Sequence, residues 1–580
     1  MSPRSIHELD FTPYSEVMPS PAQWRDQVIY HLMIDRFDNN QDLSPFDHDS
    51  TNRHGWDQQQ GAKFQGGCLK GVTRRLDYLR NLGCTAVWIS PPFKNRAEAD
   101  DCYHGYGIQD FLAVDPRFGT LDDLRELVRE AHQRGMYVIL DIIFNHTGNN
   151  WGYADDSHPT FENGRRYEFG FWRAADGAAL KIPPEQYGPD DAVWPVEFQN
   201  PEFYKRQGRI SDMATDSPDE VISGDTGDFK DLDLTREDVR DALIRCHKWW
   251  IAQTDCDGFR IDTVKHVEPK ATSVFVNAIR EYAQSIGKHN FHMFAEIVAD
   301  DGVLMKYLGQ NTPNKEDDPS EEYPALCSCL DFPLYFALEG VIKRQLAPCL
   351  LKDRYEQFQH FFRDYGRVGE YFVTFVDNHD QMHRPYFRFM YGETDHRLAV
   401  VAIGYLLTSM GIPCIYYGTE QCFDGGSDQG DEYVRETMFG GDWGAFGARE
   451  GHFFNEDHPT YQAIAAIARV RAAEPALRYG RQFFRQVSGN GQTFGDSNDP
   501  GGVFAYARVL DTTSIVIGIN LDPEPRESFV AVDGKFFGAG AEVTNLLNGN
   551  RYRVEMAPNG NTLCVKLRLD AREVAILKKA

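Results

Sequence analysis

No run of this chain is apolar enough and long enough to cross a membrane. Positive charge is scarce: 60 Lys and Arg stand against 87 Asp and Glu, a net charge of −27. That balance argues against a nucleic-acid backbone or an anionic lipid surface as partner. It fits a neutral substrate, and most of the surplus reads as solvated acidic surface. Cysteines are few and unpatterned. There are eleven, an odd number, so at least one is unpaired. Their spacing gives no secreted-type framework, and Cys327-Ser328-Cys329 is too tight for a zinc site. Cys84, Cys256, Cys414 and Cys564 sit in apolar runs and read as small core residues. Residues 1–23 lack a basic start followed by an apolar core. A reducing cytoplasm is therefore the expected compartment. No internal repeat and no low-complexity segment is found.

What is present is an ordinary globular composition, 42% hydrophobic over 580 residues, enough for two or more domains with a sizeable core. After a polar lead segment, Val28 to Ile34 is a near-continuous apolar run of strand length. A helix over about 71–82 leads to a strand at Thr85 to Ser90, stopped by Pro91-Pro92. The next helix is well signalled. Thr120 and Asp123 make a capping-box pattern, and Leu121, Leu124, Leu127, Val128 and Ala131 form a helical stripe that Gly135 ends. Met136 to Leu140 is a third buried strand. The rhythm breaks over 147–230, rich in Gly, Asn, Asp, Pro and aromatics, which reads as an inserted subdomain. It resumes with a helix at Thr235 to Thr254 and strands at Cys256 to Asp262, His292 to Glu296, Cys329 to Leu334, Tyr371 to Val376 and Pro413 to Tyr417. Helices intervene, the last near 459–474. Eight strand–helix units predict an α/β fold: a (β/α)8 TIM barrel. The expected boundaries are 1–146 and 231–478 for the barrel, 147–230 for the insertion, and 479–580 for a C-terminal antiparallel β-sandwich domain of short strands.

The chain is organised around Cys256 to His266. Along a strand Arg260 and Asp262 share one face, and a cation there favours an ionised carboxylate. A buried structural ion pair and a nucleophile both fit this stretch alone. The other strand ends decide. Asp262, Glu296 and Asp380 lie at or just after three of them, and Asp141, Asn145 and His146 follow a fourth. Converging carboxylates are costly unless they are used or bound to a metal. One ionised and one protonated carboxylate are the equipment for glycosidic bond cleavage. Glu296, flanked by Phe294, Ala295 and Ile297, is the expected acid.

Four segments, taken in order, resemble the signature regions of the α-amylase family (glycoside hydrolase family 13). They are Asp141-Ile142-Ile143-Phe144-Asn145-His146, Gly258-Phe259-Arg260-Ile261-Asp262-Thr263-Val264-Lys265-His266, Phe294-Ala295-Glu296-Ile297 and Phe375-Val376-Asp377-Asn378-His379-Asp380. Lys230-Asp231-Leu232-Asp233 resembles the signature of the family's inserted domain B. Gly411 to Glu420 resembles its eighth strand. The resemblance covers about residues 25–475.

The resemblance implies Asp262 as nucleophile, Glu296 as general acid and base, and Asp380 as the group that holds the distorted sugar. Arg260 orients Asp262, with Asp141 as partner. His146 and His379 hydrogen-bond the sugar, and Tyr106 stacks on it. Gly107 stands where many relatives have Trp, which implies a more open outer subsite. Lys265 and His266 resemble a pair beyond the cleavage point in α-amylases and cyclodextrin glucanotransferases. Asp428 and Arg435 resemble a donor-side Asp…Arg motif, with three extra residues between them. Asn145, Asp231 and the His266 carbonyl match positions that bind structural Ca2+, for which oxygen ligands suit. Asp38, Asn40 and Asp42 resemble the start of a second calcium loop, or a plain turn. The implied function is a retaining hydrolase of α-linked glucans or maltooligosaccharides, with transglycosylation open. An α-glucosidase, a sucrose-type enzyme, a glucosyltransferase, or a non-catalytic sugar-binding barrel are the alternatives.

Overall fold

The computed structural model describes residues 2–40, 60–99, 101–155, 159–212, 217–309, 326, 328–362, 364–380, 386–440, 443 and 453–580. Eight parallel strands close into a barrel: β1 (Ile29–Leu32), β2 (Ala86–Ile89), β3 (Tyr137–Ile142), β4 (Gly258–Ile261), β5 (His292–Ala295), β6 (Ser328–Leu330), β7 (Phe372–Thr374) and β8 (Ile412–Tyr416). Each pairs with its neighbours in sequence, and β8 closes on β1. The strands are buried on both faces, which is why they read as continuous apolar runs rather than alternating ones. Ile29, Ala86, Ile139, Phe294, Val373 and Ile412 form the cluster inside the barrel. Outward-facing Tyr30, Val87, Leu140 and Phe259 join the larger cluster under the helices. Gly258 opens β4 because a Cβ there would lie 2.7 Å from the His292 carbonyl oxygen.

Local signals set the helices. Thr120 and Asp123 make the expected capping box over Leu121–Gln133. The helix expected over 71–82 is two, Leu69–Arg74 and Leu76–Leu82, broken at Arg75. The strand expected through Leu334 stops at Leu330. Asp331 there accepts from Leu334 N and, with Pro333, starts the helix Phe332–Ile342.

His146–Thr147 pairs antiparallel with Lys230–Asp231 and closes the base of the inserted segment. Trp151, Trp172 and Tyr204 pack within it. Beyond the helix Pro475–Tyr479, nine antiparallel strands run from Arg481 to Lys579. The sheet folds over itself, so that Val516, Val530 and Val565 share one buried cluster. Four of its strands carry little apolar alternation in sequence: Arg481–Arg485, Val487–Ser488, Glu542–Asn545 and Arg551–Met556. Buried Arg508 donates to the Thr408 and Gly480 carbonyls and ties this sheet to the barrel. Every described cysteine is unpaired. No helix among the described residues is long and apolar enough to cross a membrane.

Candidate active site

The inward faces of the strands carry apolar residues low in the barrel and polar ones at the C-terminal end. Above Ile29, Ala86, Ile139 and Gly258, two residues on, stand His31, Trp88, Asp141 and Arg260. The register sets Arg260 directly beside Asp141. Arg260 is fully buried and takes three carboxylates. Its Nη1 donates to Asp141 Oδ1 (2.9 Å) and Asp262 Oδ1 (2.6 Å), and its Nη2 lies 2.9 Å from Glu296 Oε2. Trp88 Nε1 donates to Asp141 Oδ2 (3.0 Å). The Tyr106 hydroxyl bridges the same oxygen (2.9 Å) and His379 Nε2 (2.7 Å).

Immediately after Asp262 the backbone turns left-handed at Thr263, φ 48°. That conformation is costly for a β-branched residue. Here it aims the Thr263 N–H at Glu296 Oε2, 3.1 Å away. Glu296 Oε1 has no hydrogen-bond partner among the described residues. Burial raises the Glu296 carboxyl above its ordinary range; Arg260 pulls it down, and the neighbouring Asp262 pushes it up again. This is the electrostatic setting of a carboxylic acid that keeps its proton. Burial likewise lifts Asp141 to about 7 against the pull of Arg260. It lifts Asp380 to about 7 too, helped by Glu296 and opposed by Arg435.

These groups open on a cavity of about 1080 Å³. Asp262, Glu296 and Asp380 line it, with Tyr106, His146, Lys265, His266, His379 and Arg435 in its walls. Arg260 and Asp141 lie beneath. Burial holds His146 neutral, down to about 3, against a weaker opposing pull from the Tyr106 backbone. His146 stacks on Phe229 (centroids 4.7 Å apart, 6° between planes).

Two expectations shift. Arg435 pairs with Asp431, one helical turn before it, and not with Asp428, which is exposed and outside the cavity lining. The three extra residues displace the motif's carboxylate to Asp431. Arg435 also donates to the His379 carbonyl (2.8 Å) and to the Tyr103 hydroxyl (2.8 Å). Nor is there open space at Gly107, since a Cβ would stand 2.8 Å from Cys102 Sγ and 3.4 Å from Phe229. Phe229, from the inserted segment, supplies an aromatic wall instead. Sequence reading missed Phe229, Asp431 and Trp88. Only Trp88, at a strand end, carried a signal.

The expected calcium ligands do converge, but around a different cation. Asn145 Nδ2 donates to Asp231 Oδ1 (2.8 Å). Asp231 Oδ2 lies 3.1 Å from Lys205 Nζ, which is 2.9 Å from Glu268 Oε1. The same ammonium donates to the Ile222 carbonyl. His266 Nδ1 donates to the Val221 carbonyl (2.8 Å). Calcium needs six to eight oxygens at about 2.3–2.6 Å. Asp231 Oδ1 is taken by an amide. Asp231 Oδ2 and Asn145 Oδ1 make no hydrogen bond among the described residues, but Asp231 Oδ2 faces the Lys205 ammonium at 3.1 Å. A divalent cation placed there would meet that charge, so this set does not fit calcium. At the second loop, Asp38 pairs with Arg75 (2.5 Å) and caps the Asn40 N–H (2.6 Å), as in a plain turn; Asp42 lies outside the described residues. Elsewhere His396, Cys422 and His458 bring ligand atoms within 4.8 Å of one another. Both histidines sit at helix N-caps, and His458 Nδ1 accepts from Thr460 N. Neither feature suits a cation.

The family model "Alpha amylase, catalytic domain" matches residues 35–478. An α-amylase of Streptomyces lividans is 30% identical over 572 residues, covering 91% of this chain and 58% of its own length. A cyclomaltodextrin glucanotransferase of Geobacillus stearothermophilus is 28% identical, covering 92% of this chain and 65% of its own. The chain thus spans somewhat over half of these relatives. The crystal structure of an Anoxybacillus α-amylase superposes with a TM-score of 0.69 at 26% identity, covering 97% of this chain and 99% of that one.

Proposed function

The chain belongs to the α-amylase family, and from that premise we propose that it cleaves α-linked glucans or maltooligosaccharides with retention of configuration. One observation carries the reading: a single buried guanidinium grips Asp262 and Glu296 at once, on the floor of a cavity that Asp380 borders. Sharing one guanidinium keeps the two carboxylates close, which supports the retaining class, whose pair stands about 5 Å apart, over the inverting class, whose pair stands about 6.5–9.5 Å apart to admit a water.

Asp262 Oδ attacks the anomeric carbon while Glu296 gives its proton to the leaving oxygen. The product is a covalent glycosyl–Asp262 ester and a free sugar hydroxyl. Glu296, now ionised, takes a proton from water or from an acceptor sugar, whose oxygen displaces Asp262. Two inversions give retention. Arg260, bonded to Asp262 Oδ1, holds that side chain in place for attack and for its later release. Asp380, within the electrostatic reach of Arg435, and neutral His146 and His379 face the hydroxyls of the sugar being cleaved.

Lys265 and His266 form the wall beyond Asp262, which supports a polymeric or oligomeric acceptor side over a short aryl glucoside. Hydrolysis and transglycosylation use the same residues, and the relatives' names include both an amylase and a glucanotransferase. Maltoheptaose digests sized over time, with NMR of the first anomer released, test the reading. The expected result is shorter α-anomeric products, with cleavage of sucrose and aryl glucosides much slower. A β-anomer as first product, or action on sucrose alone, would overturn it.

A further inference from the structure

Where the family resemblance calls for calcium, the chain places an amine of its own. We propose that the ammonium of Lys205 is a tethered cation that docks the inserted domain on the barrel in place of calcium. The geometry is that of a built site. Lys205 is 7% exposed. Its position is set by the backbone: its N–H donates to the Asp231 carbonyl (3.2 Å), and Tyr204 bridges Leu232. The side chain then reaches three separate pieces of chain. Asp231 ends the insertion, Ile222 belongs to its short helix Pro218–Ser223, and Glu268 follows β4 on the barrel.

Asp231 passes the contact on to Asn145, after β3. One ammonium thus links the segments after β3 and β4 through the insertion between them, the task that a metal performs by gathering oxygens from distant segments. A lysine supplies one charge and three donors, and three acceptors are what it meets here. A calcium ion on Asp231 would have to displace the ammonium, or sit against it.

Most of the formal charge is offset locally. Next to this group, Lys230 Nζ lies 3.3 Å from Asp225 Oδ2, and Asp225 Oδ1 accepts from Asp231 N (3.1 Å). Asp225, Asp231 and Glu268 are thus answered by Lys205 and Lys230, leaving a net charge of −1. Replacing Lys205 by a neutral side chain leaves −2 around oxygens that have lost their partner. Such a nest should gain the calcium affinity that the parent lacks.

The test reads metal content and thermal stability, so it is independent of whether the proposed glucan activity holds. Native mass spectrometry and thermal melts are run on the full chain, Asp231→Asn and Lys205→Met, each in EDTA and in millimolar CaCl2. The expected results are an equal calcium count in the parent and Asp231→Asn, and a Tm lower by about 5 °C in Lys205→Met. Calcium should restore part of that loss, with one more ion bound than in the parent. A calcium ion held by the parent and lost in Asp231→Asn would overturn the proposal. So would a Lys205→Met protein whose Tm in EDTA equals the parent's.

Discussion

Strand β4 has a buried ion cluster at each end, and the two differ in charge balance. At the N-terminal end, Asp255 and Asp257 meet two cations. Lys288 Nζ lies 2.8 and 2.7 Å from them, and His132 lies 3.4 and 2.8 Å away. At the C-terminal end, Asp141, Asp262 and Glu296 crowd one guanidinium. Both clusters have fully buried members, Asp257 and Lys288 at one end and Asp141 and Arg260 at the other, so desolvation alone does not separate them. Stoichiometry does. In the balanced cluster, burial would raise Asp257, but Lys288 and His132 overcome it and hold the carboxyl below its ordinary value. In the unbalanced cluster burial wins at Asp141 and Glu296. A cluster that neutralises itself holds structure together. One that leaves a carboxyl protonated is equipped to move protons, and it lies at the barrel face where βα loops place chemistry.

Breaking each end should therefore fail differently. The largest effect is expected from Asp262→Asn, which removes the proposed nucleophile: kcat should fall by about 10⁴-fold or more. Tm should stay level or rise, because one of three crowded carboxylates is gone. Turnover within tenfold of the parent, by steady-state assay, would break the comparison. Lys288→Met is the mirror experiment. It leaves two buried carboxylates short of a cation and should cost about 3–5 kcal/mol of stability, read by denaturant melts. Its kcat/KM should hold within about twofold, since this face of the barrel makes no substrate contact.

A smaller effect separates the two ends by pH. Burial would lower His132, but Asp255 and Asp257 raise it to about 9. A histidine raised on folding adds stability that is complete below its unfolded value near 6.5 and is lost as pH climbs through 9. His132→Gln should thus be less stable than the parent by about 2 kcal/mol at pH 6 and equal to it at pH 10. Melts that differ by the same amount at both pH values would show that the ring packs but does not ionise. The smallest effect is expected at the hydroxyl joining Asp141 to His379. Tyr106→Phe keeps the ring against His379 and loses one buried hydrogen-bonding group. A drop of about tenfold in kcat/KM, without loss of Tm, is the expected outcome.

Much of this site was legible before any coordinates. Asp262, Glu296 and Asp380 could be named because each follows an apolar strand, and parallel strands in a closed barrel must all end at the same mouth. Glu296 could be given the acid's role because its flanking residues are apolar. The partner of Arg435 was not legible, since three added residues in a loop leave no periodicity to count along. The structure brings Asp431 within one turn of it and leaves Asp428 in solvent. Gly107 suggested an open subsite, yet that space is closed by Cys102, five residues back in the same loop, and by Phe229, remote in sequence. Phe229 itself looked like any aromatic in an irregular stretch.

The sequence by itself determined the barrel, the interruption after its third strand, the β domain, and which carboxylates face the mouth. Those follow from hydrophobic period and strand ends, which are local properties of the chain. Only the tertiary structure decided which charges meet. Lys205 stands 26 residues before Asp231 and 63 before Glu268 in the chain, and nothing local marks it. Electrostatic partnership depends on distance through the folded interior, so the difference between a metal nest and a lysine nest appears only once the insertion has docked.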